Sequence, residues 1–338
     1  MKEALLYTPK ENGQVECMLC NHHCLIKPQR LGLCQVRVNS EGKLYSLVYG
    51  KIIAQHVDPI EKKPLFHFLP GSRSLSIGTV GCNFQCDFCQ NYEIAQYPRL
   101  EGGVIGQEVT PQEVIETALS TGSQSISYTY NEPTVFFEFA LDCSRLAAKS
   151  GLKNVFVTNG YMTTAALDLI FPDLHAANVD LKAFRDEFYR KHCKARLAPV
   201  LDTLKHLKKQ GVWLEVTTLL IPGENDDPQE LRDIARFIYK ELGPETPWHV
   251  TRFYPRFKLL TRPATPIETL HKAYTIGKEE GLYYVYTGNV PGDEGEKTFC
   301  WQCGETLIDR YGFGIMSFEL TPEGTCPRCG AVIHGVWE

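Results

Sequence analysis

Hydrophobic and polar positions alternate between two periods through the middle of the chain. Apolar runs rich in β-branched residues occupy 74–80, 125–130, 154–158, 176–181, 213–221 and 248–254, with 283–287 a candidate seventh. Continuous runs of this kind predict strands buried on both faces, as in a parallel sheet, rather than a meander. Between them lie stretches of helical period whose starts share one grammar: Thr110-Pro111-Gln112-Glu113, Asp227-Pro228-Gln229-Glu230 and Thr265-Pro266-Ile267-Glu268. Each supplies an N-cap side chain, a proline in the first turn and a glutamate able to reach back to the cap. Gly122, Gly151, Gly211, Gly243 and Gly281 stand where such helices should stop. Six strands from residue 74 onward, or seven, are too few for a closed eight-fold barrel. The pattern predicts an α/β core over 66–294, an incomplete (β/α)6-type barrel with its site on the loops after the strand ends. Residues 1–65 and 295–338 fall outside it as small extensions.

With 338 residues the chain can bury one barrel plus appendages. A net charge of −5 and the lack of a long basic tract argue against nucleic acid or an anionic membrane as partner. The first ten residues hold no apolar signal core, and no run of about 18 apolar residues occurs. A soluble, cytoplasmic protein is expected.

Cysteines sharpen this picture. Thirteen of them in a cytoplasmic chain ask for metal rather than disulfides. They fall in groups: Cys17, Cys20, Cys24 and Cys34; Cys82, Cys86 and Cys89; Cys300, Cys303, Cys326 and Cys329. Cys143 and Cys193 stand alone in helix-like stretches, where a small buried core residue is the natural reading.

The middle group, Cys82-Asn83-Phe84-Gln85-Cys86-Asp87-Phe88-Cys89, follows a strand-like run and Gly81. Three close thiolates suit three corners of a cubane 4Fe–4S cluster and leave one iron without a protein ligand. An electron carrier wants four protein ligands, so an open iron suggests a place for cofactor or substrate. A zinc knuckle with a distant fourth ligand is the plainer alternative, although zinc pairs usually read as Cys-x2-Cys twice.

The other predicted strands end in polar residues. After 125–130 come Asn131 and Glu132, an amide and a carboxylate that can meet a hydroxyl and an ammonium; read as plain structure they form a turn, with Glu132 as a cap. Asn159 follows the third run and suits a ribose hydroxyl or an Asn-Gly turn. Asp180 and Lys182 share one side of their strand, as a cofactor site or a structural ion pair. His249 and Arg252 end the 248–254 run as candidates for a carboxylate or substrate, with a core role the simpler reading for His249.

Cys300-Trp301-Gln302-Cys303 and Cys326-Pro327-Arg328-Cys329 are two knuckles separated by 22 residues. Four thiolates so arranged suit tetrahedral zinc that fixes a small domain lacking its own core, with a rubredoxin-like iron using the same ligands. Cys17, Cys20, Cys24 and Cys34 form a second four-thiolate set, with His22 and His23 as spare candidates. Zinc is the first expectation there and an auxiliary iron–sulfur cluster the alternative.

Cys-x3-Cys-x2-Cys with Phe88 before the last cysteine resembles the signature of the radical S-adenosylmethionine superfamily. The resemblance implies that Cys82, Cys86 and Cys89 hold a 4Fe–4S cluster. Its fourth iron would be chelated by the amino and carboxylate groups of S-adenosylmethionine, which is then cleaved reductively to a 5′-deoxyadenosyl radical. It also implies a partial barrel, an oxidoreductase activity and a flavodoxin- or ferredoxin-type electron donor. Glu132 falls where the superfamily carries Gly-Gly-Glu-Pro, which binds the methionine amino group, although Tyr130 and Asn131 replace the glycines. Asp180 and Lys182 resemble the Asp-x-Lys of glycyl-radical activating enzymes. Over nearly its full length the chain is similar to the radical enzyme of the AmmeMemoRadiSam system, a relative of pyruvate formate-lyase activating enzymes. The similarity rests on both flanking cysteine groups, residues 58–64, 81–91, 128–133 and 180–182, and on Thr287-Gly288-Asn289-Val290. Memo-type and AMMECR-type proteins are the partners this implies, and the substrate is either a glycine in a protein or a small molecule. One departure stands out: activating enzymes with extra ferredoxin-type clusters insert them after the signature loop, but 91–124 contains no cysteine.

Overall fold

The runs expected as buried strands pair side by side into an eight-stranded sheet in the computed structural model, which describes residues 1–338. In chain order its strands are β1 (Ala54–Pro59), β2 (Arg73–Gly78), β3 (Ser125–Tyr128), β4 (Lys153–Thr158), β5 (Ala176–Asp180), β6 (Trp213–Leu220), β7 (Trp248–Arg252) and β8 (Val285–Gly288). β2 through β8 run parallel in sequence order, and β1 pairs antiparallel with β2. The candidate seventh strand is real. β1 carries no apolar run to announce it: Gln55 and His56 are exposed, as suits an edge. It lies within the stretch set aside as an N-terminal extension, which therefore contributes to the central sheet.

The crossovers are filled by α1 (Pro111–Ser120), α2 (Phe137–Lys149), α3 (Thr164–Ile170), α4 (Ala198–Lys209), α5 (Pro228–Phe237) and α6 (Ile267–Glu279). Thr110 and Glu113 form a reciprocal capping box at α1. Asp227 caps α5, but Glu230 turns away to accept from Phe184 N and Arg185 Nε, both at 2.8 Å. At α6 the expected cap is absent. The Thr265 hydroxyl instead donates to Leu220 O at 2.6 Å and accepts from Phe253 N at 2.8 Å, tying the ends of β6 and β7.

The N-terminal residues form two three-stranded sheets, Lys2–Glu3 with Lys43–Ser46 and Arg37–Ser40, and Tyr7–Pro9 with Val15–Cys17 and Leu25–Ile26. They share one hydrophobic core with the barrel. A buried ion pair, Arg37 Nη2 to Glu138 Oε2 at 2.6 Å, clamps them to α2. The C-terminal residues make a three-stranded ribbon, Thr298–Phe299, Thr306–Tyr311 and Gly314–Phe318, packed on Phe66, Tyr284 and Tyr286. Arg310 is buried there over the Phe66 ring, 4.4 Å from its centroid, and donates to Phe66 O at 2.8 Å. Glu215, near the start of β6, accepts from Phe66 N at 3.0 Å and His67 N at 2.8 Å. The ribbon thus plugs the end where strands begin and leaves the other end open. No helix is long and apolar enough to cross a membrane.

Candidate metal and cofactor site

Beyond β2 the chain turns through Gly81, whose φ is +93°, and an added Cβ would lie 2.5 Å from Val36 Cγ1. Both the left-handed backbone and the close approach demand glycine. The cysteine loop that follows is held from several sides. Gln85 N donates to Cys193 O and Asp87 N to His192 O, both at 3.0 Å, from the turn Tyr189–Cys193. Asn131 Nδ2 donates to Gly81 O at 2.8 Å, and Asn159 Nδ2 to Asn83 Oδ1 at 2.7 Å. Arg99 Nη2 donates to Cys82 O at 2.8 Å.

Cys82, Cys86 and Cys89 line a cleft of about 280 Å³ at the ends of the parallel strands, together with Asn131, Glu132, Asn159, Asp180 and Lys182. Burial pushes the Cys82 thiol well above its usual range and Cys89 up to about 12. Their thiolates therefore need a cation, which the irons of a cluster would supply. The three sulfurs do not crowd within 4.8 Å of one another, the spacing a single ion takes. Three spread thiols, two buried and Cys89 half-buried, around an open cleft fit a cubane that keeps one iron free.

The carboxylate of Glu132 is buried and fully engaged. Oε1 accepts from Thr134 N at 3.1 Å and from the hydroxyls of Thr134 at 2.5 Å and Thr158 at 2.7 Å; Oε2 accepts from Asn159 N at 2.8 Å. It caps the turn Pro133–Phe136 and also welds that turn to the end of β4. Burial raises its pKa despite these donors. Asn131 spends both ends of its amide inside the chain, accepting from Thr79 N at 3.2 Å while holding Gly81 O. Lys182 Nζ donates to Asp180 Oδ2 at 2.8 Å and lies 5.9 Å from the Phe88 ring centroid. Burial works against its charge, but Asp180 and the neighbouring Cys86 hold the ammonium well above its usual range.

Two residues expected at the cofactor stand elsewhere. His249 lies one layer deeper, with Nε2 2.6 Å from Glu215 Oε2 and its ring stacked on Tyr286. Strand alternation points it inward, but Thr251, two residues on, is the one that lines the cleft. Arg252 donates to Thr265 O at 2.9 Å on the rim and does not line the cleft. Conversely, Cys193 is more than filler. It is buried, its carbonyl holds the cluster loop, and its thiol stands close enough to Cys86 to draw the Cys86 thiol down. A solitary cysteine carries no spacing that would have announced this. Thr134 and Thr158, which support Glu132, are likewise unmarked in sequence.

The flanking cysteines separate into two kinds. The sulfurs of Cys300, Cys303, Cys326 and Cys329 all lie within 4.8 Å of one another, as a tetrahedral ion requires. Cys17, Cys20, Cys24 and Cys34 line a cavity of their own.

The profile of the Radical SAM superfamily matches residues 76–238, the cleft and its strands. "Uncharacterized protein MJ0808" of Methanocaldococcus jannaschii is 47% identical over 98% of this chain and 99% of its own length. The chain belongs to that protein's family and carries a radical SAM domain over residues 76–238. Pyruvate formate-lyase-activating enzyme of Listeria monocytogenes is a more distant homologue, 24% identical over 50% of this chain and 70% of its own length. Among solved structures, a radical SAM methyltransferase from Sphaerobacter thermophilus shares the fold at TM-score 0.52 and 15% identity, over 68% of this chain and 71% of that one.

Proposed function

We propose that this radical SAM protein is an enzyme that cleaves S-adenosylmethionine reductively and uses the product for hydrogen abstraction. The observation that carries this is the cleft itself: three cysteines at the ends of parallel strands, facing the Asp180–Lys182 pair. When bound, the 4Fe–4S cluster and S-adenosylmethionine would supply a 5′-deoxyadenosyl radical as the abstracting species. The chain's own part is to position and enclose. Glu132 fixes the β3 and β4 ends that face the cofactor, and Asn159 holds the cysteine loop at the distance the cluster needs. The partly exposed Asp180 carboxylate, steadied by Lys182, is placed to accept from an ammonium or hydroxyl. Cys300, Cys303, Cys326 and Cys329 would hold zinc in a structural role, away from the cleft.

Homology to activating enzymes favours a glycyl-radical activase-like role. One feature of the rim favours a small-molecule substrate instead. Residues after β7 cross to the cysteine loop, where Lys258 N and Leu259 N donate to Asp87 O at 2.9 and 3.1 Å and Phe257 stacks on Tyr92. This strap narrows the side by which a protein loop would enter. Partnership with Memo-type and AMMECR-type proteins and with a flavodoxin- or ferredoxin-type donor rests on the resemblance of the sequence alone.

The test is 5′-deoxyadenosine release from S-adenosylmethionine by the reconstituted, reduced protein, beside a Cys86→Ala variant. Release by the first alone supports the reading. No release from protein with full iron would sink it.

A further inference from the structure

Nothing in the proposed chemistry uses the four N-terminal cysteines. Cys17, Cys20, Cys24 and Cys34 line one small pocket between residues 17–37 and the barrel. Its remaining walls are mixed, with Leu19, Ile26, Leu33 and Val135 beside polar groups that include Arg37 and Asn83. Four thiols converging on a shared space of this kind are built for a metal group.

The spacing of the sulfurs argues against a single ion. Four thiolates on one zinc sit about 4 Å apart, since each lies about 2.3 Å from the ion. The C-terminal ribbon shows this geometry, with sulfurs 3.6 Å apart for Cys300 and Cys329 and 3.7 Å for Cys303 and Cys326. The thiolates of a cubane each sit on a different iron and spread to about 6 Å. No three sulfurs of Cys17, Cys20, Cys24 and Cys34 come within 4.8 Å of one another. In this they match Cys82, Cys86 and Cys89, not the ribbon.

A second observation is independent of the cysteines. Arg37 Nε and Asn83 Nδ2 are buried without a hydrogen-bond partner, and both residues line the cavity. Buried donors are rarely left idle, and N–H groups turned toward thiolate or sulfide are how proteins tune iron–sulfur clusters. We propose that Cys17, Cys20, Cys24 and Cys34 hold a second 4Fe–4S cluster, in a cavity separate from the cleft. Zinc, the first expectation for this group from sequence, needs the four sulfurs closer than the fold sets them. The site abuts the loop of the first cluster: His22 Nε2 hydrogen-bonds Asn83 O at 2.8 Å, next to Cys82.

Iron, sulfide and zinc analysis with Mössbauer spectroscopy, on full-length protein purified anaerobically, decides the matter. The informative variant is Cys82→Ala/Cys86→Ala/Cys89→Ala, which lacks the first cluster whether or not the proposed function is right. It should retain about four irons with a cubane spectrum, and the wild type should hold about eight. Cys20→Ala/Cys34→Ala should drop the wild-type count to about four. A triple variant with no iron and zinc in both cysteine sets, or with only two irons, would overturn the proposal.

Discussion

The C-terminal ribbon brings Cys300, Cys303, Cys326 and Cys329 together on two knuckles, and Cys300 and Cys326 belong to a buried cluster of nine residues. The loop of Cys82, Cys86 and Cys89 is instead held by partners on β3 and β4 and on the Tyr189–Cys193 turn. The ribbon is a small unit whose own core is thin, so a metal ion held by its four cysteines would supply much of its order. The cluster loop is shaped in advance by the barrel, so its metal adds chemistry more than structure. Removing each metal should therefore have opposite consequences.

Cys86→Ala gives the largest effect on activity, a loss of 5′-deoxyadenosine release of about 10³-fold or more, read by chromatography. The variant should keep the wild-type thermal transition. Cys303→Ala should do the reverse. It removes an interaction worth on the order of 10 kcal/mol to an isolated zinc unit, so the ribbon becomes sensitive to limited proteolysis. Cleavage of S-adenosylmethionine should stay within about twofold of wild type, because the ribbon sits at the far end of the strands. Equal loss of activity in both variants would break the comparison.

Glu132→Ala tests whether the loop is preshaped. It strands Asn159 N and Thr134 N in a buried site, which costs about 2–4 kcal/mol in urea unfolding. Iron content should fall with it, since Asn159 also holds Asn83.

The smallest effect concerns acid. Burial alone would raise the Glu224 carboxyl, but Arg262 and His192 bring it from 4.5 down to about 2. Its partner His192 lies in the turn that supports the cluster loop, with Nε2 to Glu224 Oε2 at 3.0 Å. A depressed carboxylate stabilises fully above its unfolded pKa and loses that contribution as pH falls from about 4.5 toward 2. Glu224→Gln should flatten the stability profile in that window while leaving the ribbon's behaviour unchanged, as followed by circular dichroism.

Much of this architecture was readable in one dimension. Seven parallel strands announced themselves as continuous apolar runs, and Thr110 with Glu113 capped α1 as their spacing foretold. Thr265 did not cap α6, because two backbone groups at the ends of β6 and β7 claimed its hydroxyl first. His249 had the residue type of a ligand but met Glu215 one layer below the cleft. Cys193 looked idle and became a neighbour of Cys86.

The cysteine triplet, the alternation of strand and helix, and the sorting of the other grouped cysteines to the two ends are all properties of the sequence. These depend on spacing over a few residues, where backbone geometry is nearly invariant. Tertiary structure alone decided that β1 joins the sheet, that Glu132 is fully engaged, and how far apart the N-terminal sulfurs stand. Each of those depends on where distant segments meet. Cys20 and Cys34 are 14 residues apart, and the distance between their sulfurs follows from how the intervening chain packs on the barrel, not from its spacing.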